Sequence, residues 1–299
     1  MRERSEKARI LEKVARRAII PKGSVMTEVI LNYRRYRGKR HQYSLPLFQK
    51  LQQNVEPVFS HDLQLFYMNV ETGSDKLIIY LHGGAYVSEI LPFHWIMLDK
   101  LTRQIDDTFI IPDYPLAPFS NYRECYDRLT FFYKKCLEYY RDRRIILMGD
   151  SAGGGLALGL AMYWHAAGLP VPEKMILLSP WVDLIMDNPD IENYLSVDPT
   201  LKRSELSIDA AFWADGTDLH DYRLSPLYGD LSVIRDVTMF TGTHEIFYPD
   251  IVKTHEKLLA AGVKSELVVG YQLNHVYPAF PIPEADEAIS HIADIIRNL

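Results

Sequence analysis

Residues 61–299 predict an α/β fold with a mostly parallel central sheet covered by helices on both faces. Two observations carry this reading. Short apolar runs such as 77–81 (Leu-Ile-Ile-Tyr-Leu) and 145–148 (Ile-Ile-Leu-Met) lack the polar alternation of half-exposed strands, so they read as strands buried on both sides. Between the runs lie stretches of helical period and length, and regular alternation of the two element types calls for parallel strands joined by crossover helices.

Taken in order, the chain opens with a helical stripe of Ile10, Leu11, Val14, Ala18 and Ile19, which Pro21-Lys22-Gly23 interrupts. Met26, Val29, Ile30 and Tyr33 suggest a second amphipathic helix before the polar stretch from Arg34 to Gln42. Residues 1–60 are therefore expected to form a peripheral helical segment. Strands follow at 63–70 and 77–81, with a turn at Gly73-Ser74. Helices are expected near 93–105, 121–140 and 152–167, and strands at 109–111, 145–148, 175–178, 237–241 and 267–269. The last two strands each precede an amphipathic helix, near 249–261 and 284–297. Residues 184–222 are too long for an ordinary connection and hold a short helix near 204–214. Such an insertion suits a lid, which together with the N-terminal segment would roof the active edge of the sheet.

Composition narrows the function classes. The 299 residues are 47% hydrophobic, ample for a large core. No run approaches the roughly 18 apolar residues of a membrane span, and residues 2–17 carry charges where a secretory signal is apolar, so a cytoplasmic protein without stable membrane insertion is expected. Cys125 and Cys136 fall in one helical pattern, roughly 16 Å apart at 1.5 Å per residue, too far to bridge. With no ligand-spaced His or Cys pair, neither a metal nor a redox motif is indicated. Residues 1–41 hold 13 Lys/Arg against 4 Asp/Glu, and the remainder 20 against 35. The apolar stripe favours a basic segment lying on its own acidic body over one that binds nucleic acid or an anionic membrane.

Four segments at predicted strand ends carry chemistry, where an open parallel sheet places its ligand crevice. Gly149-Asp150-Ser151-Ala152-Gly153 sits between a strand and a helix, a sharp elbow that exposes Ser151 as a nucleophile. The Ala152 N–H at the helix start would stabilise an oxyanion. Asp150 points away from its neighbour and is expected to support the site by hydrogen bonding or charge. His82-Gly83-Gly84-Ala85-Tyr86 follows strand 77–81, and the Gly83 and Gly84 amides are further candidate oxyanion donors. Glu245, just past strand 237–241, is the candidate acid that orients a catalytic imidazole, with Asp250 as the alternative, although helix capping also explains Asp250. Of ten histidines, only His275 follows both a serine and an acid while lying just beyond a strand. The order Ser, acid, His is the one expected of hydrolases on this kind of sheet.

From about residue 60 onward the chain resembles the α/β-hydrolase family, within it the hormone-sensitive-lipase-like esterases. His82-Gly83-Gly84-Ala85 is similar to that group's His-Gly-Gly-Gly motif, Asp113-Tyr114-Pro115-Leu116-Ala117-Pro118 to its Asp-Tyr-Arg-Leu-Ala-Pro segment, and Gly149 to Gly154 to its Gly-Asp-Ser-Ala-Gly-Gly elbow. Leu178-Ser179-Pro180-Trp181 and Leu224-Ser225-Pro226 resemble stretches flanking its cap. Three positions depart: Ala85 stands for the last glycine of the first motif, Pro115 for Arg, and Glu245-Ile246-Phe247 for Asp-Pro-Leu. The resemblance implies a cap built from the N-terminal helices and 184–222, and a cofactor-free, metal-free carboxylesterase acting on short to medium acyl esters. Two alternatives stand beside it: an amide or formamide hydrolase with the same triad, and a ligand receptor like the plant gibberellin receptors, which lack the catalytic histidine. The oligomeric state is open, a homo-oligomer included.

Overall fold

Eight strands form one sheet in the order β1-β2-β4-β3-β5-β6-β7-β8. They are β1 (Glu56–Ser60), β2 (Leu63–Met68), β3 (Lys76–Leu81), β4 (Thr108–Asp113), β5 (Arg144–Asp150), β6 (Lys174–Leu178), β7 (Asp236–His244) and β8 (Lys264–Asn274). The computed structural model describes residues 4–17, 43, 45, 51–60, 62–70 and 73–299. Strand β2 is antiparallel to both β1 and β4, and every pairing from β4 through β8 is parallel. The described helices are α1 (Glu6–Arg17), α2 (Pro92–Thr102), α3 (Tyr122–Tyr139), α4 (Ser151–Ala166), α5 (Arg203–Ala214), α6 (Tyr248–Ala260) and α7 (Pro283–Arg297).

The all-apolar strands have the physical consequence expected of them. On β3, Leu77, Ile79 and Leu81 enter one core with α3, α4 and α5, while Ile78 and Tyr80 enter a second core with α2 and α7. Period-two alternation thus divides one continuous apolar run between two cores. Helix α4 is buried through nearly its whole length, and Gly153, Gly155 and Ala157 leave it no bulky side chain along much of its first turns.

Two expectations are revised. The sheet begins before residue 61, because Glu56–Ser60 pairs with β2 as an edge hairpin. It escapes a pattern search because its residues are mostly exposed and Pro57 breaks the strand signature, which an edge strand tolerates. Strand β8 is eleven residues rather than three, since its outer half is exposed and carries polar residues. The expected helix around Met26 to Tyr33 lies outside the described residues, as do Ala18 and Ile19 of the first stripe.

Candidate active site

Register brings the chemical residues to one level. Leu81 pairs with Gly149 and Asp150 with Leu178, so residues 82, 151 and 179 leave adjacent strands together. Further along, His244 pairs with Asn274, which delivers residues 245 and 275 to the same edge.

Ser151 turns the chain from β5 into α4 with φ +50°, a left-handed conformation that costs a residue with a side chain on the order of 1–3 kcal/mol. The turn is tight enough to demand its glycines. A Cβ on Gly149 would lie 2.6 Å from the Gly153 carbonyl oxygen, and one on Gly153 would lie 2.1 Å from that of Leu81.

Ser151 Oγ lies 2.9 Å from His275 Nε2, and His275 Nδ1 lies 2.5 Å from Glu245 Oε2. With its proton on Nδ1 the neutral imidazole donates to Glu245 and leaves Nε2 to accept from the serine hydroxyl. Glu245 is fully buried, a costly position for a carboxylate unless its oxygens are satisfied. They are: Oε1 accepts from Ser179 Oγ at 2.8 Å, Thr241 Oγ1 at 2.5 Å and the Gly242 N–H at 2.8 Å. Ser179 Oγ also accepts from the Val276 N–H at 3.0 Å, so one hydroxyl ties the acid to the histidine loop. Burial alone pulls the His275 imidazole below its ordinary pKa. The charge and hydrogen bond of Glu245, with weaker help from Asp198 and Asp150, more than offset this and hold it above.

Asp250 does not touch His275. It lies in the first turn of α6, where its Oδ1 accepts from Asn188 Nδ2 at 2.7 Å. Burial pushes its carboxyl up to about 6, with Asp183 and Asp187 adding to the effect. Of the two candidate acids, geometry brings only Glu245 to the imidazole.

The expected donor role of Gly83 requires correction. Its N–H already donates to Asp150 Oδ1 at 2.8 Å and is therefore engaged away from the serine. The amides of Gly84 and Ala85, at φ +124° and +52°, have no acceptor among the described residues. Ala152 is the second residue of α4, where no preceding turn supplies an acceptor for its N–H. The structure thus leaves Gly84, Ala85 and Ala152 as the open amides of this edge.

The insertion comes over the same edge. Trp213 of α5 stacks on Tyr86, with ring centroids 4.4 Å apart and planes 3° apart, directly after the glycine loop. Asp198 accepts from Thr200 and Leu201 N–H within the insertion and from the Ile246 N–H beside the acid, each within 2.9 Å. Helix α1 meets the insertion, its Arg16 donating to the Ser196 carbonyl at 3.0 Å. Sequence reasoning missed Ser179, Thr241, Asp198, Tyr80 and His94 as supporting groups. Ser179 had a positional signal, since it follows directly on β6, and Thr241 lies near the end of β7; His94, inside an ordinary helix, had none.

Comparison with known proteins places the chain in a family. A family profile described as the alpha/beta hydrolase fold matches residues 78–279. An esterase of Acinetobacter venetianus is 29% identical over 236 residues, 78% of each chain. The esterase LipU of Mycobacterium tuberculosis is 27% identical over 76% of this chain and 79% of its own. Among solved structures, EstE5 superposes with a TM-score of 0.85 at 26% identity, covering 98% of both chains. An esterase from the bacterial hormone-sensitive lipase family superposes at 0.83 with 25% identity, covering 100% of this chain and 99% of that one. The profile spans two thirds of the sequence, including the glycine loop, the serine elbow and the acid and histidine loops, and the chain belongs to the α/β-hydrolase family.

Proposed function

We propose that the protein is a serine carboxylesterase acting on small acyl esters of short to medium chain length, without a cofactor and in the cytoplasm. The observation that carries this reading is the unbroken hydrogen-bonded series from Ser151 through His275 to Glu245, at the same sheet edge as the open amides of Gly84, Ala85 and Ala152. Nε2 of His275 takes the hydroxyl proton as Ser151 Oγ attacks the ester carbonyl carbon. Negative charge gathers on the carbonyl oxygen, where the three amides supply hydrogen bonds and the α4 dipole adds its positive end. Glu245 holds the imidazole in the Nδ1–H tautomer and stabilises the imidazolium. Collapse of the tetrahedral intermediate releases the alcohol with the proton from Nε2, and water then repeats the sequence on the acyl-enzyme to release the acid and restore Ser151.

Relatives described as esterases support an ester rather than an amide substrate. The histidine in place at 275 supports turnover rather than reception of a ligand. Ser151→Ala should leave the fold intact and reduce p-nitrophenyl butyrate hydrolysis by on the order of 10⁴-fold or more. Turnover close to wild type in that variant would overturn the mechanism. A panel of p-nitrophenyl esters of increasing acyl length should peak at short to medium chains.

A further inference from the structure

Asp150 precedes the nucleophile in sequence, yet its side chain belongs to the glycine loop. It is fully buried with three donors around it: Tyr80 Oη at 2.5 Å and the Gly83 N–H at 2.8 Å, both to Oδ1, and His94 Nε2 at 3.1 Å from Oδ2. His94 lies in the first turn of α2, and its Nδ1 accepts from the Leu91 N–H at 2.9 Å. That bond fixes the tautomer: a ring nitrogen that accepts carries no proton, so a neutral His94 bears its hydrogen on Nε2, directed at Asp150. One carboxylate therefore joins β3 through Tyr80, α2 through His94 and the serine elbow through its own backbone to the amide of Gly83. The fit is close, because a Cβ at Gly83 would lie 2.3 Å from Asp150 Oδ2.

Beyond Gly83 the backbone enters a conformationally expensive stretch. Gly84, Ala85 and Tyr86 all have positive φ, at +124°, +52° and +63°, and two of them carry side chains. Such a run persists only where its surroundings over-determine it. The loop is pinned at the end of its strained part by the Ala117 N–H donating to Tyr86 O at 2.9 Å, and before it by Tyr114 Oη donating to His82 O at 2.6 Å and by Asp150. By engaging the first amide of the loop, the carboxylate leaves the next two unengaged.

We propose that His94 and Tyr80 are positioning residues for the reaction: by holding the Asp150 carboxylate against the Gly83 amide, they set where the Gly84 and Ala85 amides stand relative to Ser151. This rests on the esterase reading above. Neither side chain touches substrate; each acts through Asp150 on the backbone that binds the oxyanion. The consequence is specific to the transition state, because a misplaced amide weakens binding of the oxyanion more than binding of the neutral ester.

The test uses His94→Phe, which keeps ring bulk and removes the donor, and Tyr80→Phe, the milder change should the first fail to fold. Active sites are counted by fluorophosphonate labelling of Ser151, so that a loss of folded enzyme is separated from a loss of rate. Expected is a fall in kcat per labelled site of about tenfold or more, with KM within about twofold, and an equal loss of affinity for a trifluoromethyl ketone that forms a tetrahedral adduct on Ser151. His94→Gln, whose side-chain amide can still donate to Asp150, should recover part of the rate. If both Phe variants keep wild-type kcat per labelled site, or if KM rises while kcat and ketone affinity hold, the proposal is overturned. A wild-type protein that neither labels nor hydrolyses the ester would instead overturn the esterase reading.

Discussion

His275 must be neutral at Nε2 to accept the serine proton, and its surroundings favour the charged form. Burial opposes protonation, but the adjacent Glu245 carboxylate outweighs it and raises the pKa above 6.5. Activity is therefore lost as pH falls through that raised value. The acidic limb of kcat/KM should have its midpoint above 6.5, and Glu245→Gln should move the midpoint down while reducing kcat by on the order of 10³-fold. Asp250→Asn, with no contact to the imidazole, should leave kcat within a few fold; a larger loss there than in Glu245→Gln would reverse the assignment of the acid. Both candidates were legible from sequence as acids near a strand end. Choosing between them took the contact to His275, because five residues of separation span a turn whose direction depends on how β7 meets α6.

Helix α6 carries a second consequence of Asp250. A carboxyl whose folded pKa of about 6 exceeds its ordinary value of 3.8 favours the folded state when protonated. Its stabilising contribution is fully present below the unfolded value and is lost as pH rises from about 4 to about 6. Asp250→Asn preserves an acceptor for Asn188 and removes the buried charge, so at pH 7 it should raise the unfolding free energy by on the order of 2 kcal/mol. Denaturant titrations at pH 4 and pH 7 would show the gain at the higher pH only. Helix α3 behaves more simply: Cys125 and Cys136 are buried in its core-facing side, and burial pushes the thiol of Cys136 up to about 12 and that of Cys125 well above its ordinary value. Neither should react with a thiol reagent in the folded enzyme, which a titration before and after denaturation would show. Their place on one helix was legible in the sequence, where both fall in a single helical pattern.

At the scale of the whole molecule, α1 fastens the N-terminal region to the catalytic edge through polar contacts. Glu12 meets Arg4, Arg16 Nε at 2.9 Å and His244 Nδ1 at 3.1 Å, and His244 is the residue before the catalytic acid. Arg4 also donates to the Gln272 carbonyl at 2.7 Å, and Ser5 Oγ to Glu284 at 2.8 Å. Burial acts to raise the Glu12 pKa, but the two arginines and His244 overcome it and hold the carboxyl below 4.5. Its contribution is thus present above the unfolded value and fades as pH falls through the lowered one. Glu12→Gln should loosen α1, read as faster amide hydrogen exchange across residues 6–17, with little change in β3 or β5. The net positive N-terminal segment was visible in the sequence; in its described part Arg4 and Arg16 pair with Glu12 of the same segment and reach the body through the carbonyls of Gln272 and Ser196.

Sequence alone determined the α/β class, the strand-end position of Ser151, Glu245 and His275, and their order along the chain. Apolar periodicity reports burial, burial on both faces reports a parallel sheet, and a parallel sheet gathers chemistry at its strand ends. Tertiary structure decided what pairwise contact decides: that Glu245 rather than Asp250 meets the imidazole, and that Gly83 is tied to Asp150, leaving Gly84 and Ala85 open. It also revealed Ser179 and His94, which come from elements distant in sequence. A hydrogen bond depends on direction and on tenths of an ångström, and those are set by how strands and helices pack rather than by the local pattern of any one of them.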